Sequence, residues 1–330
     1  MKKIQILDVT LRDGGYKTNF HFSNYTIERV LNSLDQSGLP YIKVGYRNGP
    51  FKLTPNIGPA GLCPSSYLEH CRNWIHNAKL TVMLHPRHIQ YHDLVEIKNC
   101  GVEAVRICFP FNNPELGFKT VEMVKKLGFD VFTNITRMSA LSIEQIAECV
   151  IELSQYEPKA IYFADSNGSV TPQHIRELCI HLANKTVIPL GFHAHDNLFQ
   201  AQANAIASIE NGMVFLDSSL SGVGKGAGNL KTEGIVSYLH SQGNRKYDIC
   251  KILESAEFIK LGLQTKSISL FGKDIILGIF DLSQDDALNL GEFHNIKDYY
   301  SRAEKYFQNN KILNRSHKNE ENTCHSSYIS

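Results

Sequence analysis

Three observations predict an α/β protein, a (β/α)8 TIM barrel with a C-terminal helical extension. Eight short β-branched runs follow one another along the chain, helical periodicity fills the gaps, and reactive residues gather where the first and seventh runs end. The runs are Ile4–Leu7, Tyr41–Gly45, Leu80–Leu84, Ala104–Phe109, Asp130–Asn134, Ala160–Ala164, Pro189–His193 and Val214–Ser218. Between the first two, Ile27, Val30, Leu31 and Leu34 share one helical face, with Ser23 as candidate cap and Gly38 as stop. Pro114–Leu127, Ile143–Leu153, Pro172–Leu182 and Leu198–Glu210 repeat that pattern. Strands alternating with helices require right-handed crossovers and a parallel sheet. Eight such units close a barrel with a filled interior. An open doubly wound sheet fits the same alternation, and pattern alone does not separate the two.

Residues 1–245 are therefore expected to form the catalytic barrel. Beyond them the strand signal fades, so residues 246–309 read as a helical extension and residues 310–330 as a polar, disordered tail. A chain with 42% hydrophobic and 20% charged residues has the material for a soluble core. Its net charge of +1 gives no electrostatic footprint for nucleic acid or an anionic membrane. The opening MKKIQILDVTLRDGG enters a strand-like run with no secretory h-region, and no stretch reaches the ~18 apolar residues of a membrane helix. The eight cysteines are scattered without a C-x-x-C pair and read as reduced thiols. A cytoplasmic protein is expected.

Parallel barrels carry their chemistry at the carboxyl ends of the strands. The seventh run ends in His193-Ala194-His195; side chains at i and i+2 of a strand point to the same side, so both imidazoles can approach one ion. Taken alone, the pair reads equally as two histidines hydrogen-bonded at a strand end. The first run leads into Arg12-Asp13, which makes Asp13 the natural third ligand and Arg12 a fixed cation for an enolate oxygen. Two imidazoles and a carboxylate leave open positions on a divalent ion. The glycine-rich Gly222–Gly228 run, with Gly226 at its centre, reads as a place where backbone amides approach an anionic substrate group, or as a flexible loop. Arg47, Arg87, Arg106 and Arg137 fall at strand ends, where guanidinium groups suit carboxylates. Among them Arg106 and Arg137 are the candidate substrate-binding residues, and a small acidic substrate is expected.

Together "LDVTLRDGGY", "ADSNGSVTP", "GFHAHDN" and "GKGAGN" resemble the DRE-TIM metallolyases (HMG-CoA lyase-like), most nearly their 4-hydroxy-2-oxovalerate aldolase branch. The resemblance implies a metal held by Asp13, His193 and His195, with Asn229 as a further ligand and Arg12 stabilising the enolate. The ion would be Mn²⁺ or Mg²⁺, with Zn²⁺ or Co²⁺ as alternatives. The implied reaction is cleavage or formation of a 4-hydroxy-2-oxo acid through a pyruvate-type enolate and an aldehyde. The alternative within the superfamily is a Claisen-type acyltransferase that condenses acetyl-CoA with a 2-oxo acid, although the chain beyond residue 245 is short for the regulatory domain of many such synthases. A homo-oligomer is expected, and an aldehyde dehydrogenase is the partner that a helical extension of this branch implies.

Two positions depart from the family pattern. Lys43 stands in Ile42-Lys43-Val44-Gly45 where many members carry a glutamate. It reads as the partner of a nearby acid such as Asp8, as an anchor for a substrate carboxylate, or as a Schiff-base nucleophile. Tyr16 falls where the aldolase branch has a histidine thought to act as base. A phenol with a pKa of about 10 is a poor base at neutral pH, so either Tyr16 works with metal-bound water or His21 or His85 takes the proton. With Arg12, Tyr16 and Lys43 complete the candidate catalytic set. A non-catalytic scaffold would also explain both departures, and the intact Arg12, Asp13, His193 and His195 set argues against it.

Overall fold

The computed structural model describes residues 4–52, 55–111, 113–263, 271–292 and 296–325. Eight strands form one closed sheet: β1 (Gln5–Asp8), β2 (Tyr41–Arg47), β3 (Lys79–Leu84), β4 (Ala104–Phe109), β5 (Asp130–Ile135), β6 (Ala160–Asp165), β7 (Leu190–Ala194) and β8 (Phe215–Ser218). Every neighbouring pair is parallel, and β8 returns to β1 with Gln5 opposite Phe215 and Asp8 opposite Ser218. That closure removes the open doubly wound alternative.

Alternation along the strands separates an inner from an outer layer. Ile42, Val44, Leu80 and Val82 join the large core beneath the helices, whereas Leu7, Tyr41, Ala104, Phe132, Ala160, Tyr162 and Phe215 fill the barrel. The outer ring comprises α1 (Thr10–Thr18), α2 (Asn24–Gln36), α3 (Ser65–Arg72), α4 (Tyr91–Asn99), α5 (Pro114–Lys126), α6 (Ile143–Ser154), α7 (Pro172–Leu182), α8 (Ala201–Glu210) and α9 (Thr232–Ser241). On α2 the Ser23 hydroxyl accepts from the Thr26 amide, and Ile27, Val30, Leu31 and Leu34 are the buried face, as the periodicity predicts.

The break expected at residue 245 does not coincide with a break in packing. The Tyr247 hydroxyl donates to the Ile4 carbonyl at 2.8 Å and accepts from the Ile6 amide at 3.1 Å. The next helix, α10 (Ile249–Leu263), lies on α2, where Ser33 donates to the Lys251 carbonyl and Ser255 to Ser33. Then α11 (Phe271–Ile279), α12 (Gln284–Leu290) and α13 (Ile296–His325) build a small core of their own around Leu277, Phe280, Leu290 and Tyr299. The loops after β5 and β6 hold this unit, because one Asp281 carboxylate oxygen accepts from Ser139, Asn167 and Ser169. Helix α13 continues to His325, through most of the segment 310–330 for which the sequence predicts no order; no Gly or Pro interrupts it. Residues 326–330 lie outside the described residues.

The cysteines Cys63, Cys71, Cys100, Cys108, Cys149, Cys179 and Cys250 are free thiols, as expected. Among the described residues no helix is long and apolar enough to cross a membrane.

Candidate metal centre and active site

Asp13 belongs to helix α1, which follows β1 at once, so what reads as a post-strand loop is helical from Thr10. The double glycine lets that helix sit close to its neighbours: a Cβ on Gly14 would meet Val223 at 2.9 Å, and one on Gly15 would meet the Phe20 ring at 2.2 Å. His193 is the inward residue near the end of β7. His195 lies just beyond the strand, in an isolated bridge with Asn229. The two rings are 5.0 Å apart at 86°.

Potential ligand atoms of Asp13, His193 and His195 all lie within 4.8 Å of one another. Each histidine has one nitrogen committed, His193 Nδ1 to Asp217 at 3.1 Å and His195 Nδ1 to the Gly228 carbonyl at 3.1 Å. That leaves both Nε2 atoms for a ligand, and His195 Nε2 is 3.9 Å from Asp13 Oδ2. Asp13 Oδ1 accepts from Arg12 at 2.6 Å, while Asp13 Oδ2 is buried with no hydrogen-bond partner. Asn229 turns its Nδ2 toward the Val223 carbonyl and Ser219, and its Oδ1 is likewise buried without a partner. Gly224 leaves the space between them: a Cβ there would lie 2.3 Å from Asn229 Nδ2 and 2.9 Å from Asp13 Oδ2.

Two buried, unsatisfied oxygens beside two half-committed imidazoles are costly unless something fills the gap. A divalent cation fits that donor set. The charge state is also right for one. Burial opposes ionisation of Asp13, but Arg12, then His195 and His193, hold its carboxyl well below the usual range. Burial pushes His195 down to about 4 against the pull of Asp13, so it presents a neutral imidazole.

Arg12 is locked between Asp13 and the Tyr46 hydroxyl, which accepts from its Nη2 at 2.5 Å. The Tyr46 and Tyr16 hydroxyls are 3.0 Å apart, and the His85 ring stacks on Tyr46 at 5.5 Å. Burial raises the Tyr16 pKa despite the nearby Arg12 charge, so this phenol keeps its proton at neutral pH. Burial, then the Arg12 charge, push His85 down to about 3. His21 is exposed and bonded to the Asn56 carbonyl; it lies apart from this group.

Lys43 and Arg106 depart from the positions the sequence suggests. Both point into the barrel and converge on Asp217: Lys43 at 3.2 Å, Arg106 at 2.8 Å and 3.2 Å through its two terminal nitrogens. Lys43 thus pairs with Asp217 on β8, not with Asp8, and its ammonium is sealed from the cavity. Arg106 sits in the middle of β4, fully buried over the Tyr162 ring, where no substrate carboxylate reaches it. Gly226 has positive φ and its carbonyl accepts from Lys17; it faces Gln284 and Asn197 and does not line the cavity. Arg47 is committed to Asp93, Glu96 and the Cys63 carbonyl. Arg137 does reach the cavity, 3.9 Å from Asp285 of the helical extension.

That cavity, of about 640 Å³, opens over the donor set and is roofed in part by Ser283, Gln284 and Asp285. Sequence reasoning missed four residues here. Tyr46 shares the inner face with Lys43 only because the register slips between Lys43 and Gly45. Asp217 was legible as a carboxylate near a strand end. Lys225 lies inside a motif already singled out. Asp285 carries no local signal.

An eight-stranded barrel with an Asp–His–His donor set and an adjoining arginine at the carboxyl ends of its strands has the architecture of a metallolyase. The family model described as HMGL-like matches residues 3–259, and the chain belongs to that family. A 4-hydroxy-2-oxovalerate aldolase from Moorella thermoacetica is 33% identical over 259 residues, 78% of this chain and 77% of the relative. One from Carboxydothermus hydrogenoformans is 31% identical over 78% of this chain and 76% of its own length. Among solved structures, the N-terminal domain of a candidate aldolase from Bacteroides vulgatus superimposes with a TM-score of 0.75 at 28% identity, covering 87% of this chain and 96% of that one. HMG-CoA lyase from Bacillus subtilis gives 0.68 at 18% identity over 85% and 99%, a likeness of fold. The chain is an enzyme of the carbon–carbon lyase class.

Proposed function

We propose that this enzyme is a divalent-metal-dependent aldolase acting on a 4-hydroxy-2-oxo acid. The observation that carries the reading is the pair of buried, partnerless oxygens on Asp13 and Asn229 beside His193 and His195, with Arg12 fixed at their edge. Asp13, His193, His195 and Asn229 would hold the ion; a mixed nitrogen and oxygen set with open positions suits Mn²⁺ or Mg²⁺. When bound, the ion supplies Lewis acidity that stabilises negative charge developing on the 2-oxo oxygen.

The remaining chemistry belongs to the chain. In the cleavage direction the C4 hydroxyl loses its proton, the C3–C4 bond breaks, and its electron pair passes into the enolate of pyruvate while C4 departs as an aldehyde. The enolate then takes a proton at C3. Arg12, aimed by Asp13 and Tyr46, is the preorganised cation for the enolate. Tyr16 keeps its proton and donates to the C4 oxygen. His85, stacked on Tyr46 in the cavity wall, is the acceptor we assign to the hydroxyl proton by its position, since burial and the Arg12 charge make it a weak base. The curated relatives' names support the same substrate class.

The test is deuterium uptake by pyruvate in D₂O, read by mass spectrometry, with Mg²⁺ and after chelation. Methyl hydrogens should exchange only in the presence of metal and only while Asp13 is intact. No exchange from pyruvate, with exchange from acetyl-CoA instead, would overturn the reading in favour of the Claisen alternative.

A further inference from the structure

Five cations (Arg12, Lys52, Arg87, Arg137 and Lys225) line the cavity against two carboxylates, Asp13 and Asp285. Arg12 is matched by Asp13 at 2.6 Å and Lys52 by Asp285 at 3.0 Å. Arg137 reaches the same Asp285 only at 3.9 Å, and Arg87 lies 5.5 Å from the Phe51 ring. Lys225, like Arg87, has no carboxylate within ion-pairing distance among the described residues, and its ammonium stands 5.5 Å from the Tyr16 ring. Asp285 and Asp13 attract its ammonium from beyond ion-pairing distance, while Arg12 and Arg137 oppose its charge. A divalent ion held by the donor set would add further positive charge. The carboxylate of a 2-oxo acid offsets part of this excess, on the side of the ion. It leaves Lys225 and Arg137, which face the same cavity, whose volume suits a ligand well beyond a two-carbon aldehyde.

We infer that the part of the cavity lined by Lys225 and Arg137 is an anion subsite, so that the aldehyde released or captured carries a phosphate or carboxylate held by these two residues. Clustered cations facing an enclosed space repel one another, and an anion entering between them relieves that repulsion where water screens poorly. A neutral aldehyde brings no such compensation. Lys225 serves as the specificity determinant because its ammonium stands over the ring of Tyr16, the residue we assign to the C4 oxygen. The inference rests on the aldolase reading and narrows its substrate class.

The experiment compares aldol addition of pyruvate to matched aldehydes by the full chain with Mg²⁺: glyceraldehyde 3-phosphate against glyceraldehyde, and succinic semialdehyde against butanal. The charged member of at least one pair should show a kcat/KM about tenfold or more above its neutral counterpart, and which pair does so separates phosphate from carboxylate. Lys225→Met should bring that ratio toward one, Arg137→Gln should reduce it, and Lys225→Arg should keep it. The ratio is internal to each variant, so a loss of folded protein does not imitate the effect. Equal or better use of the neutral aldehydes, with pyruvate still exchanging deuterium, overturns the inference and leaves the aldolase reading standing. A charged preference that survives both Lys225→Met and Arg137→Gln overturns the assignment of these residues. No deuterium exchange from pyruvate removes the aldolase reading and this inference with it.

Discussion

Two buried carboxylates, Asp217 inside the barrel and Asp13 at its mouth, are each clasped by an arginine, and their remaining valences differ. Asp217 accepts from Arg106 on Oδ1, and from Arg106, Lys43 and His193 around Oδ2. Asp13 gives one oxygen to Arg12 and keeps the other free of any hydrogen bond. Both stay ionised, since neighbouring cations outweigh burial in each case. The difference teaches how to sort charged residues in a barrel: a carboxylate saturated by protein is framework, and one left half-used beside histidines is suited to bind a ligand. His193 joins the two regions, with Nδ1 on Asp217 and its other nitrogen left to the donor set.

The comparison breaks most visibly at the mouth. Asp13→Asn keeps the shape and removes the charge, so turnover should fall on the order of 10³-fold or more while circular dichroism is unchanged. Metal content measured on the dialysed protein should fall in parallel. Full metal retention with full activity would place the donor set elsewhere.

The next largest effect lies in the barrel. Asp217→Asn leaves Lys43 and Arg106 without their anion in a sealed interior, a change that costs about 3–5 kcal/mol. The urea midpoint should drop accordingly. Metal affinity should weaken as well, because the His193 ring loses the carboxylate that orients it. A variant as stable as the parent would show that Asp217 is not the framework anion.

What the sequence could reveal follows from how local each signal is. The strands were legible because β-branched runs and helical spacing are local, and Asp13, His193 and His195 because strand ends and an i, i+2 pair locate them. Arg106 was misplaced since a charge inside a parallel strand reads the same whether its partner is substrate or protein; the partner, Asp217, is 111 residues away. Lys43 carries the same ambiguity: pairing with an acid is one of its readings, but the acid is Asp217, 174 residues on, and not Asp8. Tyr46 was hidden by a register slip, and the roofing Asp285 by the helical unit that carries it over the mouth. Charges whose meaning depends on a distant partner are the ones pattern cannot assign.

Lys43 is where that ambiguity is sharpest, and where the smallest effect is expected. Burial, then the Arg106 charge, push its ammonium down to about 7 against the attraction of Asp217, a value that alone would suit a Schiff-base nucleophile. Its position denies that role, since it is sealed beneath the donor set and absent from the cavity wall. Lys43→Met removes one of two cations sharing one anion and leaves the two-nitrogen Arg106–Asp217 pair intact. Stability should change by about 1 kcal/mol or less, in either direction, and turnover should stay within several-fold of the parent. Borohydride added with pyruvate should leave no adduct on the intact protein by mass spectrometry. The same ion pair cut from its other end, in Asp217→Asn, strands two charges where this change strands none. A loss of turnover in Lys43→Met as deep as that of Asp13→Asn would erase the distinction between the two carboxylates and make the barrel interior part of the reaction.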